Sequence, residues 1–247
     1  MSSLTAIGVE GLPEVEAGAS LGQLIVERIE LEDGDIVVIS QKVVSKAEGQ
    51  TRRLSSVIPG AEARKLAAVL GKEPALVELI LEESSEVLRA ERGVLITETH
   101  HGFVCANAGI DTSNVPENDT VCLLPEDPDA SARRIRDEIV GQGPDIGVVI
   151  SDSFGRPWRL GQAEVTIGCA GIQPLDDWRG RRDAHGRELE ATVIAVADEA
   201  AAAADLVRGK DSSIPVVILR GLDRFVTSED GPGAVALRRP ASEDLFR

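Results

Sequence analysis

Aromatic side chains are nearly missing from this chain: they make up 2% of 247 residues, with four Phe, two Trp and no Tyr. The core must therefore be built from Val, Ile, Leu and Ala. Cysteine is also scarce. Cys105, Cys122 and Cys169 form no CxxC pair, and each lies in or beside an apolar run. That pattern argues against a disulfide framework or a zinc site and predicts buried thiols in a reducing compartment. Positive charge is short as well, with 26 Lys and Arg against 42 Asp and Glu, a net charge of −16. Such a surface repels phosphate backbones, so no nucleic acid is expected as a partner. Plain solubility accounts for most of the charge. No apolar run reaches the length of a membrane span. The start, Met1-Ser2-Ser3-Leu4-Thr5, lacks the basic and apolar stretches of a signal peptide. The expectation is a cytoplasmic protein without a membrane partner.

Familiar nucleotide and hydrolase signatures are missing too. There is no GxxxxGK[ST] loop, of which Gly209-Lys210 is only a fragment, and no GxGxxG, GxSxG or HExxH. A nucleotide bound here is held by less common means.

Short runs rich in β-branched residues predict strands at Asp35–Ser40, Val94–Glu98, Thr120–Leu124, Ile146–Ser151, Glu164–Gly168 and Pro215–Leu219. Helical spacing predicts helices from Ser20 to about Ile29 and over Glu62–Leu70, Pro74–Leu88, Asp129–Val140 and Ala191–Val207. Several strands are too close in sequence for a crossover helix, so antiparallel pairing is required. The predicted class is α+β: mixed, largely antiparallel sheets with flanking helices. The length suits one domain over 1–247, with room for two lobes. Ser228–Arg247 is polar and punctuated by Pro and Gly, and reads as a loosely held tail.

Four segments could carry chemistry. His101–Asn114 leaves a strand and enters a loop of small residues, where backbone amides can approach a ligand. Asp111 and Asn114 offer oxygen donors for a hard cation or a nucleotide; an Asx-turn at Asp111 is the bland alternative. Ser151–Arg159 follows the most apolar strand. Asp152 and Ser153 supply a carboxylate and a hydroxyl of the kind that Mg2+ or Mn2+ takes, and Arg156 and Arg159 follow at once as phosphate binders. A solvated turn with surface arginines competes with that reading. Arg156, Arg159, Arg179, Arg181, Arg182 and Arg187 make a local positive field in an acidic chain, partly offset by Asp176, Asp177 and Asp183, so simple ion pairing stays open. Gln41–Gly49 places Lys42 and Lys46 at a strand exit, where they could hold phosphates or simply be solvated. His100 and His101 are neighbours that would point to opposite faces of a strand, and so form no metal pair.

Taken in order, these segments resemble the coenzyme F420-0:γ-glutamyl ligase family. The resemblance includes Gly11-Leu12-Pro13, Ser40–Gly49, Gly102–Asn114 and Ser151–Arg159. It continues through Trp178-Arg179-Gly180, Asp183 with Gly186–Leu189, Thr192, Ala197-Asp198-Glu199 and Pro215–Gly221. It implies that GTP and a divalent metal, Mg2+ or Mn2+, with K+ as a further ion, drive attachment of L-glutamate to the side-chain carboxylate of a deazaflavin coenzyme precursor. The tail then grows through γ-linked glutamates. It further implies the family's own α+β fold as an intertwined homodimer. Asp111 and Asp152 would share one metal, Ser153 would help hold a second, and Arg156 would contact phosphate. Leu12, Pro13, Glu14, Val15, Gln41, Lys42, Lys46 and Asn114 would hold the nucleotide, together with the segment Arg208, Gly209, Lys210, Asp211, Ser212, Ser213, Ile214 and Pro215. Some members carry an acidic metal ligand where this chain has Lys210, with Asp211 beside it. Some are fused to a nitroreductase-like domain; this chain, ending at Arg247, is expected to be the stand-alone form. Two other readings compete: a related ligase with another acidic substrate, and a GTP-binding regulator without catalysis.

Overall fold

The computed structural model describes residues 3–112, 119–141, 143–209 and 212–245. Its strands, in chain order, are β1 (Thr5–Gly8), β2 (Ile36–Ser40), β3 (Thr51–Arg53), β4 (Ser84–Glu91), β5 (Val94–Thr99) and β6 (Val104–Ala106). They continue with β7 (Thr120–Cys122), β8 (Gly147–Arg156), β9 (Arg159–Ala170), β10 (Asp176–Asp177), β11 (Val193–Ile194) and β12 (Val216–Arg220). The helices are α1 (Leu21–Val26), α2 (Gln41–Ala47), α3 (Ala61–Leu70), α4 (Pro74–Glu82), α5 (Pro128–Val140) and α6 (Val196–Asp205).

The most apolar runs become the middle of a five-stranded sheet of order β1-β12-β2-β8-β9. β2 and β8 pair in parallel, Val38 opposite Val149, and the other neighbours are antiparallel. Both faces of β2 are covered, which is why its sequence is continuously apolar rather than alternating. Val37 and Ile39 pack with Leu21 and Ile25 of α1 and Ile135 and Ile139 of α5. Ile36 and Val38 face Ala200, Ala201 and Ala204, whose small side chains let α6 lie close. A second group, β4-β5-β6 with α3, α4 and the β3-β7 pair, closes on its own core of Leu70, Val77, Ile80, Leu95, Val121 and Leu123. The α+β class with mainly antiparallel sheets is as the sequence implies. Among the described residues no helix is long and apolar enough to cross a membrane. The three cysteines are buried thiols, and burial pushes Cys105 and Cys169 up to about 12.

Several boundaries differ from those expected. The helix from Pro74 stops at Glu82, because the Ser84 hydroxyl turns back to the Ile80 carbonyl (2.5 Å) and Ser84–Glu91 pairs with β5 instead. Gln41–Ala47, read as a loop, is a helix; Val44 and Ser45 are buried on its inner side, and Gly49 follows it at φ +69°. The Ala-rich helix starts at Val196, since Val193–Ile194 is taken by a strand. The first helix ends at Val26, although Ser20 caps it as predicted. The segment after Ser151 is no open turn: β8 continues to Arg156 and folds back on β9. The region after Ser228 is tied down, with the Ala234 N–H donating to Asp129 (2.7 Å) and Arg136 reaching Asp230 (3.1 Å).

Candidate functional site

β2 ends beside the middle of β8, Ser40 opposite Ser151, and the candidate site gathers at the carboxyl end of β2 and along β8 beyond it, the side on which open α/β sheets commonly bind ligands. From the second group, β6 leads into Asn107, Ala108 and Gly109, all at positive φ (54°, 53° and 71°). Two non-glycine residues in the left-handed region are a local strain that surrounding structure must hold. This turn delivers Asp111, whose backbone pairs with Cys122 in both directions at 2.9 Å. Asp111 and Asp152 thus line one cavity of about 400 Å3, together with Asn107, Ser153, Phe154 and Gln162.

The Lys42 ammonium, on the first turn of α2, meets Asp111 at 2.7 Å. Asp152 receives the Ser153 N–H at 2.9 Å. Burial pushes the Asp152 carboxyl up to about 7; the Ser153 N–H and Lys42 oppose the rise, and Glu164 and Asp111 add to it. A carboxyl raised mainly by burial, with acidic neighbours adding to the rise, is one that a cation would stabilise in its charged form. Two carboxylates and a hydroxyl are also the oxygen donors that a hard divalent ion takes. The residues present therefore fit such an ion. Among the described residues no group of three His, Cys, Asp or Glu side chains suited to a metal occurs.

Neighbours in a strand point to opposite sides. Asp152 faces across to Val165, while Ser153 faces Glu164. Behind Ser153 lies a buried polar hub that sequence reasoning missed. The Ser153 hydroxyl donates to Glu164 Oε1 at 2.5 Å, and Arg208 meets Glu164 Oε2 at 3.3 Å and the Ser151 hydroxyl at 3.2 Å. Glu164 is only 5% exposed.

The structure brings some expected residues together and leaves others apart. Lys46 pairs with Glu14, next to half-buried Leu12, exposed Pro13 and buried Val15. The Gln41 amide is buried and donates to Ser45 (2.6 Å) and the Leu123 carbonyl (2.8 Å). Ser212 turns back on Gly209 (2.8 Å), Ser213 is left-handed at φ +54°, Ile214 packs on Gly8, and the Pro215 carbonyl accepts from the Ser40 N–H (2.8 Å). Asn114, Lys210 and Asp211 lie outside the described residues. Arg156 is exposed at the end of the β8-β9 hairpin, where it donates to the Leu160 carbonyl at 3.2 Å. Arg179 pairs with Asp177 (2.6 Å), and Arg181 lies over Trp178 and near Asp176 (3.5 Å). None of these three arginines is among the residues that line the cavity. His100 and His101 bond separately to backbone carbonyls and form no pair.

The sequence model of the F420-0:Gamma-glutamyl ligase family matches residues 10–221. Coenzyme F420:L-glutamate ligase of Methanothermobacter thermautotrophicus is 47% identical, over 99% of this chain and 99% of its own. The protein of the same name from Methanopyrus kandleri is 45% identical over 100% of both chains, and that from Methanocaldococcus jannaschii is 45% identical over 98% and 96%. These matches, on an α+β fold with an acidic cavity at strand ends, place the chain among the ligases. More narrowly, it belongs to the F420-0:gamma-glutamyl ligase family.

Proposed function

We propose that this chain joins L-glutamate to the side-chain carboxylate of coenzyme F420-0, driven by GTP and a divalent metal, and extends a γ-linked glutamate tail. Its family membership and the activity named for its relatives support the reaction. The observation that carries the chemistry is the meeting of Asp111 and Asp152 at one cavity, with Lys42 paired to Asp111.

A carboxylate is a poor acyl donor, because oxide would have to leave. Transfer of the γ-phosphoryl group of GTP to it gives an acyl phosphate; the glutamate amine then attacks the carbonyl carbon, and phosphate leaves. The difficulty is electrostatic, since a phosphoryl group must pass between two anions. A bound Mg2+ or Mn2+ would supply charge neutralisation there. Asp111 and Asp152 would hold that ion, and Ser153 would offer its hydroxyl oxygen to a second. Lys42 pairs with Asp111 and adds positive charge beside the cavity. Arg156, on its exposed hairpin, would reach phosphate from outside. Lys46 follows β2 on α2 and pairs with Glu14, and Arg208 and Pro215 bond to β2 and β8 at Val38, Ser40 and Ser151, in keeping with a nucleotide site there. K+ is a further ion to include in assays.

Purified protein supplied with F420-0, L-glutamate, Mn2+ and nucleotide is expected to release GDP only when both acceptor and glutamate are present. Equal turnover with ATP at matched low concentration would overturn the choice of GTP. Nucleotide turnover that does not depend on glutamate would favour another acidic substrate.

The protein is further proposed to act as a homodimer. Trp158 and Leu160 at the hairpin tip are 81% and 98% exposed, apolar surface of the kind that a second copy covers. Solution scattering at micromolar concentration should give the dimer mass. A monomer with full activity contradicts it.

A further inference from the structure

The hub behind Ser153 sets an acceptor, Glu164 Oε1, 2.5 Å from its hydroxyl oxygen. We propose that Glu164 is a positioning residue that takes the proton of the Ser153 hydroxyl, so that the oxygen presents only lone pairs to the cavity and can ligate a divalent cation. This inference rests on the proposed metal-dependent reading of the site.

Three features support it. Ser153 and Glu164 are direct cross-strand partners in β8 and β9, so the two side chains share a face at close range. Glu164 is an acceptor only, and its Oε1 lies 2.5 Å from the Ser153 oxygen; the shared proton belongs to the serine. Its other oxygen is held by Arg208, itself fixed by the Ser151 hydroxyl and the Val38 carbonyl (3.4 Å). Arg208 and Glu164 side chains are 10% and 4% exposed, so neither moves without breaking a buried pair. The carboxylate therefore has one orientation and the serine proton one direction.

Glu164→Gln tests the direction of the proton while keeping the size of the side chain. Arg208 is a donor, so the new amide must turn its oxygen to Arg208 and its NH2 to Ser153. The Ser153 oxygen then accepts, and its own proton is driven toward the cavity, where it opposes a cation. Calorimetry of Mn2+ binding, with a non-hydrolysable GTP analogue present, is expected to show about 10- to 100-fold weaker binding, the usual loss when a residue that orients a ligand is removed. Adding Ser153→Ala to Glu164→Gln should weaken binding no further, although Ser153→Ala alone weakens it in the wild type. A merely structural role would make the two losses add.

Asp152→Asn is the reference. If it leaves Mn2+ binding unchanged, the reading of the site fails and takes this inference with it. If it weakens binding and Glu164→Gln does not, the inference alone is overturned. Should Glu164→Gln melt too low to assay, Glu164→Asp keeps the charge but draws the acceptor back from Ser153; Mn2+ affinity should fall in that variant as well, and an affinity equal to that of the wild type overturns the proposal.

Discussion

Asp152→Asn and Asp111→Asn are each expected to abolish most glutamate-dependent GDP release while leaving the fold intact. The two carboxylates arrive from different parts of the molecule, one from the middle of β8 and the other from the left-handed turn after β6, and line one cavity. Neutralising either would remove a ligand of the proposed cation from a step that moves charge between anions. Such stabilisation is worth several kcal/mol, or roughly a hundredfold or more in rate. The stability effect should run the other way at position 152. Its carboxyl is pushed up to about 7 by burial, so in the metal-free protein the charge opposes folding as pH rises from the ordinary carboxylate range through 7. Asparagine carries no charge, so metal-free Asp152→Asn should melt no lower than wild type at pH 8. Added Mn2+ should raise the melting temperature of the wild type more than that of the variant. Wild-type turnover with normal Mn2+ binding in either variant would show that the two aspartates share no catalytic ion.

Arg136→Met is expected to produce the largest loss of stability. This arginine, 5% exposed on α5, donates to the Ile146, Thr227 and Ser228 carbonyls (2.8, 3.1 and 3.2 Å) and meets Asp145 at 2.6 Å and Asp230 at 3.1 Å. Gly171 makes room for it: at φ +67°, a Cβ there would lie 2.1 Å from the Arg136 Nε. Methionine keeps much of the volume but leaves these acceptors without their donor. Asp145 and Asp230 are partly exposed and can be rehydrated, so the cost sits at the lower end of that for breaking a buried pair, about 3 kcal/mol. For a chain of this size that is a fall in Tm of roughly 6–12 °C, measurable by calorimetry. The segment from Thr227 onward should become sensitive to protease in the same variant. An unchanged Tm would mean that the tail is anchored elsewhere, with Asp129 and the Ala234 N–H as the next candidates.

Strands buried on both faces were the easiest part of the fold to read from the sequence. Ile36–Ser40 and the start of β8 are runs of Val and Ile with nothing to interrupt them. α5 was legible from its apolar spacing, and Asp111 and Asp152 stood out as oxygen donors just after strands. Their meeting in space was not legible, because it depends on how the β4-β5-β6 group packs against the end of β8. α2 was hidden by Val43 and Val44, whose branching suits a strand as well as a helix; tertiary burial of Val44 and Ser45 decided the matter. Glu164 left one signal that went unused: a carboxylate inside an apolar strand needs a buried partner, and Ser153 and Arg208 are that partner. The arginines after Trp178 read as a single positive field, yet Arg179 and Arg181 are matched within their own loop by Asp177 and Asp176. Local sequence reported the charges and not their pairing.

Mass spectrometry of the deazaflavin after incubation with the purified protein, GTP, Mn2+ and L-glutamate tests the central claim most directly. The account predicts that F420-0 gains one glutamyl residue and then further γ-linked residues, with one GDP formed for each, and that Asp152→Asn leaves the acceptor unchanged. An acceptor whose mass stays the same while the wild-type protein turns over GTP would contradict it.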